Sequence, residues 1–133
     1  MLRVYTASKL RHAPMWRDMC ASTEHVQFHA RWLKHLAIGT PDTPDRAVEF
    51  WMQDEQDVKD ADAVLVMADG DDHLRGALVE AGMAIAYGVP VIVVGKHADY
   101  GTWQYHPGVT RADDMDHALT LLRGMRPRYR KAA

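Results

Sequence analysis

The chain has 133 residues, of which 47% are apolar and 26% charged, and its formal net charge is -2. That size and balance suit one compact globular domain and exclude both a disordered chain and the strongly basic surface of a general nucleic-acid or anionic-membrane binder. Cys20 is the only cysteine, which excludes an internal disulfide and a cysteine-ligated metal cluster and makes a reducing cytoplasm the simplest setting. No apolar run reaches the roughly 18 residues a membrane span needs. The opening "MLRVYTASKL" has no basic region ahead of a long apolar stretch, so no secretory leader is expected.

"LRVYT" (residues 2–6) reads as a short first strand. The polar loop "ASKLRHAP" follows, with Pro14 placed to begin a helix over residues 15 to about 23. "VQFHARW" (26–32) alternates and starts β-branched and aromatic, which predicts a second strand. "LAIGTPDTPD" is a loop, and Asp45 is placed to cap a helix running to about residue 60. "ADAVLVMA" (61–68) is the near-continuous apolar run of a parallel strand buried on both faces. After the turn "DGDDH" a helix is expected over residues 74–87, stopped by Gly88. "PVIVVG" (90–95) is another buried strand, "KHADYGTWQYHPG" a long polar and aromatic loop, and "VTRA" (109–112) a short last strand. A closing helix in "ADDMDHALTLLRGM" is capped by Asp113 or Asp114. Residues 1–125 are expected to form one domain, and the basic tail "RPRYRKAA" (126–133) to be solvated and frayed.

Strands alternating with helices predict an α/β fold: a Rossmann- or flavodoxin-like, doubly wound sheet of about five mostly parallel strands. Ligands of such sheets bind beyond the carboxyl ends of the strands, where the strand order reverses. "TASKL", "HARW", "ADGDDHLRG" and "GKHADYGTW" are assigned to that edge. Trp16, Trp32, Trp103, Tyr105 and His106 are placed in or near it, where aromatic faces could stack a planar ligand or simply pack.

Glu80 is the one charge in "GALVEAGMAIAY". Gly76 and Ala84, four residues to either side, leave its helix face bare of large side chains. Gly82 costs about 1 kcal/mol relative to Ala inside a helix, a cost expected to be offset by close packing against a strand or ligand. The positive helix N-terminus favours an ionised carboxylate, the form a nucleophile needs. Spacing alone also admits a surface-facing Glu on an amphipathic helix. Asp54 and Asp57 share a helix face (i, i+3), which is read either as a solvated face or as the one from which Asp54 joins Glu80 in glycosidic-bond chemistry. Asp62, before a strand, is read as a turn or cap residue. "DGDDH" has the acidity of a metal loop without a fixed ligand spacing, so neither metal nor cofactor is expected.

The stretch from Ala61 to Gly95 resembles the core of the nucleoside 2-deoxyribosyltransferase family, which includes the 2′-deoxynucleoside 5′-phosphate N-hydrolases. Asp54, Asp62, Gly76, Glu80, Gly82, Ala84, Ala86, Gly88 and Pro90 stand at the family's pattern positions. "VYTASKL" is similar to its first strand and loop, and "YHPGVTRADDMDHALTLL" to the closing segment of small members. The resemblance implies that Glu80 is the nucleophile at C1′ of the sugar and that Asp54 protonates or hydrogen-bonds the departing base. Tyr5 then reaches the sugar and the nucleophile, Ser8 lies near the sugar or phosphate, and Gly76 lets the ligand approach. Asp57, Arg75, Trp16 and His106 complete the expected substrate site, Arg75 as a phosphate ligand or a solvated helix-start residue. The implied substrate is a small nucleoside or nucleotide, and the implied assembly is a homodimer or larger homo-oligomer. One departure stands out: Leu74 occupies the place where the hydrolases carry a serine for the 5′-phosphate. It leaves open a non-catalytic nucleotide-sensing module on the same fold, or an enzyme acting on a NAD-like or modified nucleotide.

Overall fold

A computed structural model describes residues 1–8, 13–22, 25–32, 43–68, 76–95 and 101–128. Their elements run β1 (Leu2–Ala7), α1 (Ala13–Ser22), β2 (Val26–Phe28), α2 (Pro44–Lys59), β3 (Ala63–Met67), α3 (Gly76–Tyr87), β4 (Val91–Val94), a 3-10 turn (Thr102–Tyr105), β5 (Val109–Ala112) and α4 (Met115–Arg123). The five strands form one sheet in the order β2-β1-β3-β4-β5, and every pair is parallel. This is the expected doubly wound α/β architecture. The chain turns left from β1 to β2 and right from β2 to β3 and from β3 to β4. Right-handed crossovers therefore put α1 on one face of the sheet and α2 and α3 on the other.

The apolar runs make the core because both faces are covered. Val64, Leu65 and Val66 of β3 and Val91, Ile92 and Val93 of β4 are all buried. Trp16 of α1 packs at a tilt on Phe28 of β2, with ring centroids 5.9 Å apart. Gly88 ends α3 with φ 71°, as a left-handed C-terminal stop requires. No helix among the described residues is long and apolar enough to cross a membrane.

Three expectations are corrected. The second strand ends at Phe28 rather than at residue 32, because the Arg31 backbone N–H is taken by the Asp57 carboxylate instead of a ladder partner. The cap of α2 is Thr43, not Asp45: Pro44 needs no hydrogen bond in the first turn, and Thr43 accepts from the Arg46 N–H. Of the two cap candidates for α4, Asp114 is the cap. The start of the tail is anchored rather than frayed. Asp62, fully buried, accepts from the backbone N–H groups of Arg3 and Arg128 at 2.8 and 2.7 Å, and the Arg128 guanidinium donates to the Ala61 carbonyl. Asp62 thus ties β1, β3 and the tail together. Residues 129–133 lie outside the described residues.

Candidate active site at the carboxyl edge of the sheet

The strand order reverses at β1, flanked by β2 and β3. The helices that follow β1 and β3, α1 and α3, lie on opposite faces of the sheet, an arrangement in which ligands of such sheets bind at the carboxyl edge. Ser8 follows β1 directly, and α3 brings its first turn back toward this edge. Residues 69–75, which include the "DGDDH" loop, Leu74 and Arg75, lie outside the described residues.

Glu80 is in the second turn of α3 and only 6% exposed. Its Oε2 atom is buried and has no hydrogen-bond partner among the described residues. Burial pushes its carboxyl from the ordinary value of 4.5 up to about 8. This corrects the expectation of an ionised, accessible carboxylate. Glu80 lies past the first turn, where the helix N-terminus acts most strongly, and desolvation outweighs what remains of that field. A solvated amphipathic face is ruled out as well, because the exposed positions of α3 are Leu78, Val79, Gly82, Ala86 and Tyr87.

Helix α2 packs beside α3. Tyr87 of α3 donates to Glu55 of α2, and the Lys59 ammonium lies 5.7 Å from the Tyr87 ring centroid. At the other end of the pair the Trp51 indole covers Gly76. A β-carbon placed on Gly76 would lie 3.5 Å from Trp51 Cη2, 3.8 Å from Cζ2 and 4.0 Å from Glu80 Oε1. Gly76 is therefore the point where α2 and the Glu80 carboxylate converge. Asp54, half-buried, is one turn below Trp51 on α2, and Glu80 is one turn below Gly76 on α3. Trp51 was not singled out in the sequence, although its i−3 spacing from Asp54 was a usable signal.

On β1, Tyr5 is fully buried and its hydroxyl has no partner among the described residues; the same holds for the Thr6 hydroxyl. Two tryptophans pin the carboxyl end of the strand. The Trp16 indole N–H donates to Ser8 Oγ and that of Trp32 to the Thr6 carbonyl, both at 2.8 Å. Trp16 is wholly enclosed, so its ring serves the core and its N–H holds Ser8.

Other expected site residues are placed elsewhere or otherwise engaged. Asp57 is buried and both its oxygens serve Arg31: Oδ2 accepts from the backbone N–H at 2.8 Å and Oδ1 from Nε at 2.9 Å. It fastens α2 to the chain leaving β2. His106 stands at the amino edge, opposite the carboxyl edge, because the crossover from β4 to the parallel strand β5 has by then run the height of the sheet. The Gly108 carbonyl accepts from the N–H of Val91, the first residue of β4, and His106 Nδ1 accepts from the Gly108 N–H. Tyr105 is at that end too, exposed, with the Arg111 guanidinium over its ring at 5.3 Å. Gly82 is also corrected: a β-carbon there would meet nothing within 4 Å, so no close packing accounts for it. Among the described residues no group of three or more His, Cys, Asp or Glu is arranged to hold a metal.

No protein-family model matches the chain. No curated protein matches it either. Solved structures do. A 2-deoxyribosyltransferase from Bacillus psychrosaccharolyticus superposes with a TM-score of 0.67 at 14% identity, covering 93% of this chain and 92% of its own. A CMP N-glycosidase from Clostridium botulinum superposes with a TM-score of 0.56 at 15% identity, covering 91% of this chain and 97% of its own. At such identities the likeness is one of fold, and it extends over nearly the full length of all three chains.

Proposed function

We propose that this protein cleaves or transfers the N-glycosidic bond of a 2′-deoxynucleoside, a nucleoside or a nucleoside 5′-monophosphate, through a covalent glycosyl ester on Glu80. The observation that carries the reading is a buried carboxylate, in the second turn of the helix after β3, whose Oε2 has no hydrogen-bond partner among the described residues. Burying a carboxyl group without a partner is costly, and folding alone gives no reason to retain it. The likeness in fold to a deoxyribosyltransferase and a CMP N-glycosidase supports the same chemistry.

In the first step a Glu80 oxygen bonds to C1′ as the C1′–N bond breaks, and the bond's electron pair leaves with the base. Asp54 donates the proton that makes the base a better leaving group. Tyr5, whose hydroxyl has no partner among the described residues, is assigned to the sugar and to Glu80 once substrate is bound, and Ser8, held by Trp16, to the sugar or phosphate. Arg75 is assigned to the phosphate when one is present. In the second step either water or a second base attacks C1′, loses its proton to Asp54 and restores the Glu80 carboxylate. Hydrolase and transferase differ only in that acceptor. The test is incubation with deoxynucleosides and their 5′-monophosphates, with and without an acceptor base, followed by chromatography. Release of free base is expected, and no release from any of them at high enzyme concentration contradicts the proposal.

Leu74, at the position where a phosphate-binding serine is expected, favours a second reading: a module that binds an intact nucleotide without cleaving it. Calorimetry would then find tight binding with no base released.

Self-association is part of the proposal. The outer surface of α3 (Leu78, Val79, Gly82 and Ala86) is exposed and uncharged, and Val48 and Met52 of α2 are exposed as well. An exposed apolar surface of this kind suits contact with a second copy. Sedimentation equilibrium should find a dimer or larger species, and a clean monomer at micromolar concentration contradicts it.

A further inference from the structure

Trp16 and Trp32 are pinned by their indole N–H groups. Trp51 makes no such bond among the described residues, and the residue is 38% exposed. The far edge of its six-membered ring, Cη2 and Cζ2, lies over Gly76, against the space that also borders Glu80 Oε1. A glycine in the first turn leaves an opening beside the carboxylate, and among the described residues the side-chain atoms nearest that opening, besides those of Glu80, belong to Trp51. From this geometry we infer that Trp51 is a positioning residue for Glu80: its indole edge closes the opening left by Gly76 and controls how much water reaches the carboxylate. The role of Glu80 in catalysis rests on the proposed N-glycosidic chemistry, whereas the place of the ring beside the carboxylate does not.

The protonation of Glu80 then answers to the ring. Burial is the cause of its raised value, and among the described residues no charged neighbour contributes to it. The elements packed against α3 explain this. Strands β3 and β4 carry no titratable side chain, and β1 brings Arg3, near its amino end, and Tyr5. On α2, Glu55 is engaged by Tyr87 and Asp57 by Arg31, and Asp54 is half-buried. Water access is therefore the lever that Trp51 holds.

The experiment is a pH titration of the Glu80 carboxyl carbon by 13C NMR, in the full chain without ligand, assigned by its loss in Glu80→Gln. The wild type should titrate near 8. Trp51→Ala should titrate at least one pH unit lower. Trp51→Phe, which lacks the second ring whose edge lies over Gly76, should shift in the same direction by less. An Ala or Phe variant that titrates like the wild type overturns the inference. Trp51 is on the surface of α2, so loss of fold is not expected, and the Phe variant keeps the test open if Ala unfolds. In kinetics with 2′-deoxyadenosine and 2′-deoxycytidine, the pH profile of kcat/KM should move with the NMR value, which a merely structural residue would not cause. Absence of turnover in the wild type would count against the N-glycosidic reading alone, since the titration needs no substrate.

Discussion

Trp51 Cη2 and Glu80 Oε1 approach the same empty point, 3.5 and 4.0 Å from where a β-carbon of Gly76 would stand. These are ordinary van der Waals distances, so a methyl group fits without a clash. Gly76→Ala should therefore fold, with stability unchanged or raised by less than about 1 kcal/mol, since Ala is the better helix former. Its methyl group would occupy the space beside the carboxylate, and KM should rise at least several-fold. Urea denaturation and nucleoside kinetics together check this. A destabilised variant with normal kinetics would show that Gly76 is there for the backbone.

Glu80 gives stability a dependence on pH with a definite sign. Its folded value of about 8 lies above the ordinary 4.5, so between those values the folded state holds a proton that the unfolded state has lost. The contribution of Glu80 is intact below about pH 4.5 and is lost as pH rises toward 8. The loss is on the order of a few kcal/mol. Glu80→Gln removes that dependence. It should be the more stable protein at pH 8–9 by urea denaturation while releasing no base. Equal stability at that pH would mean that Glu80 is hydrated in solution.

The same titration governs rate. A nucleophile must be ionised, and kcat/KM reports the free enzyme. Below about pH 8, kcat/KM should fall roughly tenfold per pH unit toward acid in the wild type. A profile flat from pH 6 to 9 would contradict a Glu80 nucleophile in this environment.

Asp57 and Gly82 test the structural assignments. Asp57→Ala strips Arg31 of both its hydrogen bonds to the carboxylate and should cost about 1–3 kcal/mol, with KM little changed. A large rise in KM without loss of stability would restore Asp57 to the substrate site. Gly82→Ala should stabilise by about 0.5–1 kcal/mol, since open space surrounds the position.

The sheet was legible because β3 and β4 are buried on both faces and so appear as unbroken apolar runs, with helices of other periodicity between them. A doubly wound, mostly parallel sheet followed from alternation and crossover handedness; the pairing order, and with it the place of the switch point, did not, because it depends on long-range strand contacts. The second strand was overextended because "HARW" continues the strand's alternation, while its backbone is claimed by Asp57, 26 residues away from Arg31. His106 was assigned to the wrong edge because sequence does not mark how far along a crossover the chain has climbed. Trp51 went unseen because its meaning depends on α2 lying against α3, a long-range fact. The protonation of Glu80 was misjudged for a related reason: the helix-end field is local and visible in sequence, but desolvation is tertiary.

The central claim is a covalent glycosyl ester on Glu80. Its most direct measurement is mass spectrometry of the protein acid-quenched during turnover of a 2′-deoxynucleoside, followed by proteolysis and peptide mapping. A deoxyribosyl adduct on the peptide carrying Glu80, absent from Glu80→Gln, is the predicted result. Base release with no adduct in the quenched protein, and undiminished turnover by Glu80→Gln, would contradict it.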